Sequence, residues 1–411
     1  MYSDKTETNY DENFESEYSS SVKGKVISAI VVLVFIVGIF GVAGFHLLAD
    51  DKAFSESENR VLASMPKLSV SSLVDGSFMK GFETYLTDQF PFRDNFISIK
   101  TLTDRVLGKN KENGVYIGKD GFLFDSQSDY NEDSVKSITD AILAFSKKNK
   151  NLKKAFILAP NSSYIYADKL PDYLELPSQG EQIEQFYSLL NDKTITKLDV
   201  CSLFEKSREK DDYLLYYKTD HHWTTKAAKK VFNSLNSKWK LSTSGTPYSN
   251  VKLEPKFNFY TVSTAFQGTL SSTAGVHDTY DQVEICVPAK SQGTYIVDFE
   301  QSGEKTASLF FKEKLNQKNH YEVFLGGNYD KVIISTVSQS ENTLLLIKDS
   351  YANCMIPMLT PYFNKIVVID PRYLTDSLDS IIKENDFTHV LFLYNLNTLL
   401  EDNSLAQCLS N

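Results

Sequence analysis

The chain has 411 residues, of which 42% are hydrophobic and 13% aromatic, so it can bury a large core. Its formal net charge of −10 is spread along the sequence without a long basic run, which argues against binding to nucleic acid. The four cysteines form no CxxC pair and no zinc-type spacing with histidine, so we expect neither a metal nor another cofactor. An exported chain could still oxidise a cysteine pair that the fold brings together.

Near the N-terminus, residues 26–48 form an apolar stretch long enough to cross the roughly 30 Å hydrocarbon layer as a helix. The stretch has no polar face, which argues against a buried helix of a globular domain. A cleaved signal peptide is the nearer alternative. However, the stretch is longer than a typical signal-peptide core, and no clear small-x-small cleavage site follows before Asp50. We therefore predict a transmembrane helix.

Charges on either side of this helix predict its orientation. Lys23 and Lys25 precede it, and Asp50 and Asp51 follow it, which favours a cytoplasmic N-terminus. The polar and acidic residues 1–25 then form a disordered cytosolic tail, and the remainder of the chain lies outside the cell. The sequence thus predicts a single-pass protein of the cell membrane with an extracellular main domain.

After the helix, residues 49–110 are predicted to form a stalk and helical cap that lead into the main domain. Two segments with helical spacing, around residues 73–87 and 93–107, are interrupted at the motif DQFPFRD. From residue 111 to 411, short apolar strands such as AFILAP alternate with helices such as the one expected at residues 180–192. This alternation predicts an α/β domain with a mostly parallel sheet.

Two parts of this domain differ from each other in their predicted secondary structure. Between about residues 240 and 330, turns rich in Gly, Ser and Thr separate strand-like pieces, which predicts a β-rich insertion. After it, TLLLIKDS, KIVVID and HVLFLYN alternate with helices expected at residues 351–363 and 378–385. Parallel strands end at the same edge of a sheet, so polar residues after these strands should lie together. These residues are Asp349, Ser350, Asp370, Arg372 and Asn395.

Ser350 stands at a strand-to-helix junction, separated from the apolar run LLLI by two residues. A hydroxyl at such a turn lies near the positive end of a helix dipole, which is a common position for a nucleophile. Serine is also a preferred helix N-cap, and this structural interpretation fits the same pattern.

A second candidate segment is Asp220-His221-His222-Trp223, which supplies imidazoles beside a carboxylate. An imidazole can deprotonate a serine, and a carboxylate can orient that base. The alternatives are a helix-capping aspartate with histidines that only pack, or a solvated turn.

The segments TDHHWTTKAA and LLLIKDSYAN resemble the signature segments of the bacterial DHHW protein family. That family is related to the SGNH-like proteins of alginate O-acetylation, which pair a DxHW segment with a later serine. The motifs ENRVLASMP, DQFPFRD, GKDGFLF, FQGTLSSTAG, VFLGGNY and IDPRYL extend the resemblance from about residue 58 to 394. The resemblance implies an SGNH-hydrolase-like, three-layer α/β domain.

The resemblance also implies roles for the residues of these two segments. Ser350 would be the nucleophile, His222 the base and Asp220 its orienting partner. The DxH spacing favours His222 over His221, and neighbouring side chains of an extended segment point in opposite directions, so only one can face the serine. His221 remains the second candidate for the base.

By position in the SGNH pattern, oxyanion or substrate contacts would come from Arg372, Tyr373 and Asn395, with Trp223 as a further candidate. A strand-terminating turn for Asn395 and a surface cation for Arg372 are the alternatives. The sequence departs from the hydrolase pattern at KDS, where Lys348 replaces the usual glycine of GDS, and it has no GxND motif.

Together with the predicted membrane helix, the resemblance implies a membrane-anchored, extracellular O-acetyltransferase that modifies a cell-surface or secreted polysaccharide through an acyl-enzyme on Ser350. In related systems a multipass membrane O-acyltransferase hands over the acetyl group, so such a partner is implied. Two alternatives are a carbohydrate acetyl esterase and a non-catalytic, glycan-binding scaffold subunit of a polysaccharide assembly complex.

Overall fold

The computed structural model of the protein describes residues 22–55, 60–241, 243, 255–289, 295–338 and 340–410. Most of the predicted cytosolic tail, residues 1–21, lies outside this part of the chain. The described residues form two compact units, one of residues 22–55 and 60–97 and the other of residues 98–410. The domain boundaries expected from the sequence stay predictions.

The first unit contains a long apolar helix followed by short elements. Its elements are α1 (Val22–Leu48), β1 (Phe54–Ser55), β2 (Arg60–Val61), α2 (Val70–Val74), α3 (Ser77–Asp88) and the start of α4 (Arg93–Val106). Within α1, Gly24–His46 has a mean hydropathy of 3.0, so its length and composition fit a membrane span or a signal sequence. The helix expected at residues 73–87 is interrupted because Gly76 adopts a φ of +77°.

The second unit alternates strands and helices. It contains, in chain order, β3 (Lys111–Glu112), β4 (Val115–Ile117), β5 (Leu123–Asp125), α5 (Glu132–Lys148), β6 (Lys153–Ala159), α6 (Ser162–Ile165), α7 (Gln179–Leu189), β7 (Ile195–Leu198), α8 (Val200–Arg208), α9 (Thr225–Trp239), β8 (Phe257–Phe266), α10 (Thr269–Ala274), β9 (Asp281–Pro288), β10 (Tyr295–Phe299), β11 (Glu304–Thr306), β12 (Lys331–Thr336), β13 (Thr343–Lys348), α11 (Ile356–Leu359), β14 (Lys365–Ile369), α12 (Leu378–Glu384), β15 (His389–Asn395), α13 (Leu396–Glu401) and α14 (Ser404–Ser410).

Eight of these strands form one mixed sheet in the order β11-β10-β12-β14-β13-β15-β6-β7. The five strands from β14 to β7 pair in parallel, and β12, β10 and β11 add antiparallel pairs at one side. The predicted α/β class with an SGNH-like domain is confirmed. The sheet is more mixed than expected, because part of the region predicted as an insertion supplies β10 and β11.

The rest of that region stands apart from the main sheet. β8 and β9 form a separate antiparallel pair, with α10 between them in sequence. The turn-rich pattern of residues 240–330 therefore covers two different structures, a two-stranded pair and the antiparallel strands at one side of the main sheet.

The central strand β13 shows why the domain has three layers. Leu344 and Leu346 pack into a core cluster with α9, and Leu345 and Ile347 pack into a second cluster with α5 and α12. Successive side chains of a strand point to opposite faces, so a strand buried on both faces reads as a continuous apolar run. This explains the sequence TLLLI. All four cysteines are buried as free thiols.

The parallel strands bring their C-terminal ends to one edge of the sheet. Lys348 of β13 pairs with Leu393 of β15, and Asn395 pairs with Ala159 of β6. The residues that directly follow these strands are therefore neighbours at that edge.

Candidate active site

Ser350 opens a 3-10 turn, Ser350–Ala352, directly after β13. Asp349 fixes this turn, since its carboxylate accepts hydrogen bonds from the Tyr351 N–H at 2.9 Å and the Asn395 N–H at 2.6 Å. The Ser350 residue is partly exposed, whereas Asp349 is fully buried. The turn therefore presents the hydroxyl beside the end of β15.

The helix expected at residues 351–363 is wrong in extent. The structure has the short 3-10 turn and then only α11, a four-residue helix with Pro357 in its first turn. Proline lacks an N–H and fits the first turn of a helix but not its interior, so one long helix cannot pass through it without a kink. A helix dipole at Ser350 is accordingly a weaker feature than the sequence suggested.

The segment with the two histidines is a tight loop in front of α9. Tyr216 and Trp223 pair across the loop as an antiparallel bridge, and the Thr224 side chain caps α9 by accepting from the Ala227 N–H. Asp281 of β9 accepts from the N–H groups of Lys218 and Thr219 and from the Thr219 hydroxyl at 2.7–2.9 Å. The loop is thus tied to β9 by side-chain hydrogen bonds.

Three side chains from these two segments form a continuous hydrogen-bonded chain. The His222 Nε2 lies 2.8 Å from the Ser350 Oγ, and the His222 Nδ1 lies 2.6 Å from Asp220 Oδ1. His222 is 5% exposed and Asp220 is completely buried. The arrangement has the geometry of a serine, a base and an orienting carboxylate.

The Asp220 carboxylate has donors on both oxygens. Besides His222 Nδ1, it accepts the His222 N–H at 3.0 Å, the Thr269 N–H at 2.9 Å and the Thr269 hydroxyl at 3.0 Å. Burial would raise the pKa of Asp220, but the adjacent imidazoles and these hydrogen bonds outweigh it and lower that pKa below its usual value. The carboxylate is therefore ionised at neutral pH.

His221 has a different partner from His222. Its Nδ1 lies 2.8 Å from the Thr269 Oγ1, and its ring centroid lies 3.9 Å from that of His222. Desolvation lowers the pKa of His221, and the neighbouring His222 adds to the shift. Of the two histidines, His222 is the one hydrogen-bonded to Ser350.

Trp223 does not face a ligand, because its ring is completely buried. Its Nε1 donates to the Tyr351 carbonyl at 2.9 Å, and the Tyr351 hydroxyl donates to the His221 carbonyl. The prediction that Trp223 contacts substrate is contradicted by this burial. The indole instead joins the histidine loop to the serine turn.

The other candidates for oxyanion or substrate contacts lie at the expected sheet edge, where Asn395 and Arg372 donate hydrogen bonds within the protein. The Asn395 N–H donates to Asp349, and its side-chain amide donates to the Ala159 carbonyl and to Asn161. The Arg372 guanidinium donates to Asp370 at 2.7 and 2.9 Å. Tyr373 is half-exposed. An oxyanion role for these residues stays a prediction.

Several residues of the site were missed by sequence reasoning. Thr269 and Gly268 belong to the motif FQGTLSSTAG, which carried a resemblance but no assigned role. Lys348 is completely buried, and its Nζ donates to Asn328 at 2.9 Å and to Asp370 at 3.4 Å. Burial lowers the pKa of Lys348. The departure from GDS to KDS was the available signal for this lysine.

The histidine loop also has the residue types of a metal site. Potential ligand atoms of Asp220, His221 and His222 lie within 4.8 Å of one another. The nitrogens and oxygens concerned already take part in the hydrogen bonds with Ser350 and Thr269 and between Asp220 and His222. Those contacts favour proton transfer over metal ligation at this loop.

Two family models match parts of the chain. Residues 115–317 match the model of the SGNH hydrolase-like domain of acetyltransferase AlgX, and residues 58–151 match the DHHW protein model. The chain is therefore similar to DHHW proteins and to SGNH hydrolase-like acetyltransferase domains. The resemblance inferred from the motifs is confirmed. No curated protein matches the chain.

Solved structures support the same fold for this chain. A DHHW family protein from Eubacterium siraeum DSM 15702 is 20% identical, with a TM-score of 0.58 over 72% of this chain and 95% of that chain. PatB1 from Bacillus cereus, solved with a sulfonyl adduct, is 17% identical, with a TM-score of 0.55 over 70% of this chain and 97% of that chain. At these identities the likeness concerns the fold.

Proposed function

We propose that this protein is a serine-dependent O-acetyltransferase that modifies a cell-surface or secreted polysaccharide through an acyl-enzyme on Ser350. The observation that carries the proposal is the continuous chain from Ser350 through His222 to the buried Asp220, with contacts of 2.8 and 2.6 Å. The match to an acetyltransferase domain supports acyl transfer to polysaccharide as the general activity.

The proposed reaction has two halves. In the first, the Ser350 Oγ attacks the acyl carbonyl while the His222 Nε2 takes the serine proton, and Asp220 stabilises the imidazolium. The imidazolium then gives this proton to the leaving group, and the acyl ester remains on Ser350. In the second, His222 takes a proton from a sugar hydroxyl, whose oxygen attacks the ester and releases Ser350, which regains the proton.

The differing exposure of the three residues suits this chemistry. His222 and Asp220 are shielded from water, so the attraction between imidazolium and carboxylate is stronger than it would be in solvent. Ser350 is partly exposed, as a nucleophile that must meet an acyl donor and an acceptor requires. The carboxylate and base are protected, and the nucleophile is accessible.

The cellular setting is a further part of the proposal. The apolar helix α1 holds the protein in the membrane, with the catalytic unit on the extracellular side. Asp50 and Asp51 follow the span, as expected for its outer end. A multipass membrane O-acyltransferase would deliver the acetyl group to Ser350.

Kinetics of the full chain in detergent would test the mechanism. We expect Ser350→Ala and His222→Ala to lower the rate of acetyl ester cleavage by at least about 10³-fold, because each removes a member of the triad. Ser188→Ala, an exposed serine on α7, is the matched control and should retain the wild-type rate. Wild-type activity in a folded Ser350→Ala variant would refute the acyl-enzyme.

Product analysis would separate transfer from hydrolysis. With an added oligosaccharide, a transferase places acetyl groups on the sugar, whereas a carbohydrate acetyl esterase releases acetate and removes acetyl groups from an acetylated glycan. A non-catalytic scaffold would need no contact between Ser350 and His222, so their 2.8 Å contact favours an enzyme.

A further inference from the structure

The imidazole of His222 is enclosed on both faces by other rings. Tyr321, in the 3-10 turn His320–Val323, stacks on one face with ring centroids 3.7 Å apart and planes 11° apart. On the other face lies the ring of His221, with centroids 3.9 Å apart and planes 35° apart. We call Tyr321, His222 and His221 the ring stack.

Tyr321 also contacts the nucleophile turn. Its hydroxyl donates a hydrogen bond to the Ser350 carbonyl at 3.0 Å. Tyr321 is 3% exposed, and its ring is held by an edge contact from Phe324 with centroids 5.2 Å apart. One rigid side chain therefore contacts both the base and the backbone of the serine.

Simple core packing would also bury a tyrosine, but the geometry here is more specific. Aromatic pairs in cores usually meet edge-on or offset, whereas Tyr321 presents its face to the imidazole almost in parallel. The face of a phenol ring carries partial negative charge and attracts a cation, most strongly where water is excluded. The proposed reaction converts His222 from a neutral ring to a cation.

The opposite face of His222 is consistent with the same role. Desolvation lowers the pKa of His221, which keeps that ring neutral at neutral pH. A neutral ring on this face avoids repulsion when His222 becomes charged. The pairing of two adjacent histidines in the motif then has a physical reason.

We infer that Tyr321 is a positioning residue for acyl transfer, whose ring stabilises the imidazolium of His222 and whose hydroxyl holds the Ser350 turn. Tyr321 acts through these two residues and does not exchange protons itself. The inference rests on the proposed function, since it requires His222 to act as the base.

Two substitutions in the full chain separate the ring from the hydroxyl. Tyr321→Phe keeps the stacked ring and loses the hydrogen bond to Ser350, and we expect kcat to fall less than about 5-fold. Tyr321→Leu loses both contacts, and we expect kcat to fall by about 10-fold to 30-fold with KM changed less than about 2-fold. Tyr295→Leu, at a half-buried tyrosine packed against the same core, is the control and should leave kcat unchanged.

A series of fluorinated phenylalanines at position 321 tests the role of the ring even if Tyr321→Leu does not fold. Phenylalanines with increasing numbers of ring fluorines at position 321 keep the shape and progressively weaken the negative face. We expect log kcat to fall steadily along the series. A constant kcat along the series, or equal losses for Tyr321→Phe and a folded Tyr321→Leu, would overturn the role of the ring.

The outcomes distinguish this inference from the proposed function. If Ser350→Ala and His222→Ala retain activity, the acyl-enzyme fails and the role of Tyr321 fails with it. If those two variants are inactive while Tyr321→Leu and the fluorinated series keep the wild-type kcat, the acyl-enzyme stands and only the inference about Tyr321 is refuted.

Discussion

The two sides of the candidate site are built in different ways. The Ser350 turn follows β13 and is anchored by backbone pairing of β13 with β14 and β15. The Asp220–His222 loop lies outside the main sheet, is closed by the Tyr216–Trp223 bridge, and is tied to residues 268–281 by hydrogen bonds that involve side chains. We call these the sheet side and the loop side.

This difference suggests how substitutions should act. A backbone ladder spreads its stabilisation over many hydrogen bonds, so the sheet side should tolerate a single change with a loss of stability but little loss of geometry. The loop side depends on a few contacts that directly orient Asp220 and His222. Small displacements there should affect the reaction rate much more than the stability of the fold.

The largest effect is expected for Asp220→Asn on the loop side. An amide in place of the carboxylate cannot stabilise the imidazolium and favours the wrong tautomer of His222, so kcat should fall by about 10³- to 10⁴-fold. Ester cleavage by the full chain measures this, with Asp168→Asn, a surface carboxylate, as the control. A loss below about 10-fold would mean that Asp220 is not the orienting partner.

The next effect tests how closely the loop is packed. A Cβ on Gly268 would lie 2.2 Å from the Asp220 Cβ and 2.5 Å from its Oδ2, so Gly268→Ala must displace Asp220. We expect kcat to fall by about 10- to 100-fold with a much smaller change in stability. Kinetics and thermal unfolding would be measured together.

Gly180→Ala is the matched control for this substitution. Its Cβ would lie 2.7 Å from the hydroxyl of Tyr164, which is hydrogen-bonded to Glu205 and to no residue of the triad. It should retain the wild-type kcat. Equal activity of the Gly268→Ala and Gly180→Ala variants would contradict the view that the loop side is held by close packing on Asp220.

The same difference explains what the sequence could predict. The sheet side follows from local patterns, because the apolar run TLLLI predicts a buried strand and places Ser350 at its end. The roles of Asp220 and His222 were predicted from their spacing and from the family resemblance. Their supports, Gly268 and Thr269, lie nearly 50 residues further along the chain, and no periodicity connects them to the loop.

The ring stack was also beyond sequence reasoning. Tyr321 is one of 23 tyrosines, and nothing in the segment NHYEVFLGG distinguishes it from the other tyrosines. The stack depends on how a short 3-10 turn packs against the histidine loop, which is a long-range contact. Trp223 was misjudged for a similar reason, because a motif residue beside two catalytic candidates turned out to be part of the core.

On the sheet side, Lys348→Met tests whether a single substitution lowers the stability of the fold while leaving the reaction rate nearly unchanged. The substitution removes a buried cation from Asn328 and Asp370, but Asp370 keeps its two hydrogen bonds from Arg372. We expect the free energy of unfolding to fall by about 2 kcal/mol and kcat to fall less than about 5-fold. Denaturant unfolding and kinetics would decide. A large loss of kcat at unchanged stability would place Lys348 among the functional residues.

The smallest effect concerns acid stability of the sheet side, through His389 at the start of β15. The residue is 3% exposed, its Nε2 has no hydrogen-bond partner within the described structure, and burial with Lys153 nearby lowers its pKa to about 4. An unfolded histidine takes up a proton near its ordinary pKa of about 6.5, so protons favour the unfolded chain as the pH falls from about 6.5 towards 4.

His389→Phe removes this titration and keeps a ring beside Trp239 and Phe363, whose centroids lie 4.9 and 5.3 Å away. Between pH 7 and pH 5, the wild type should lose about 2 kcal/mol more of its unfolding free energy than the variant. Denaturant unfolding at the two pH values measures the difference, and kcat at pH 7 should be unchanged. Equal losses would show that His389 is charged or hydrated in the fold, because a histidine held neutral in the fold must make the wild type more sensitive to acid than the variant.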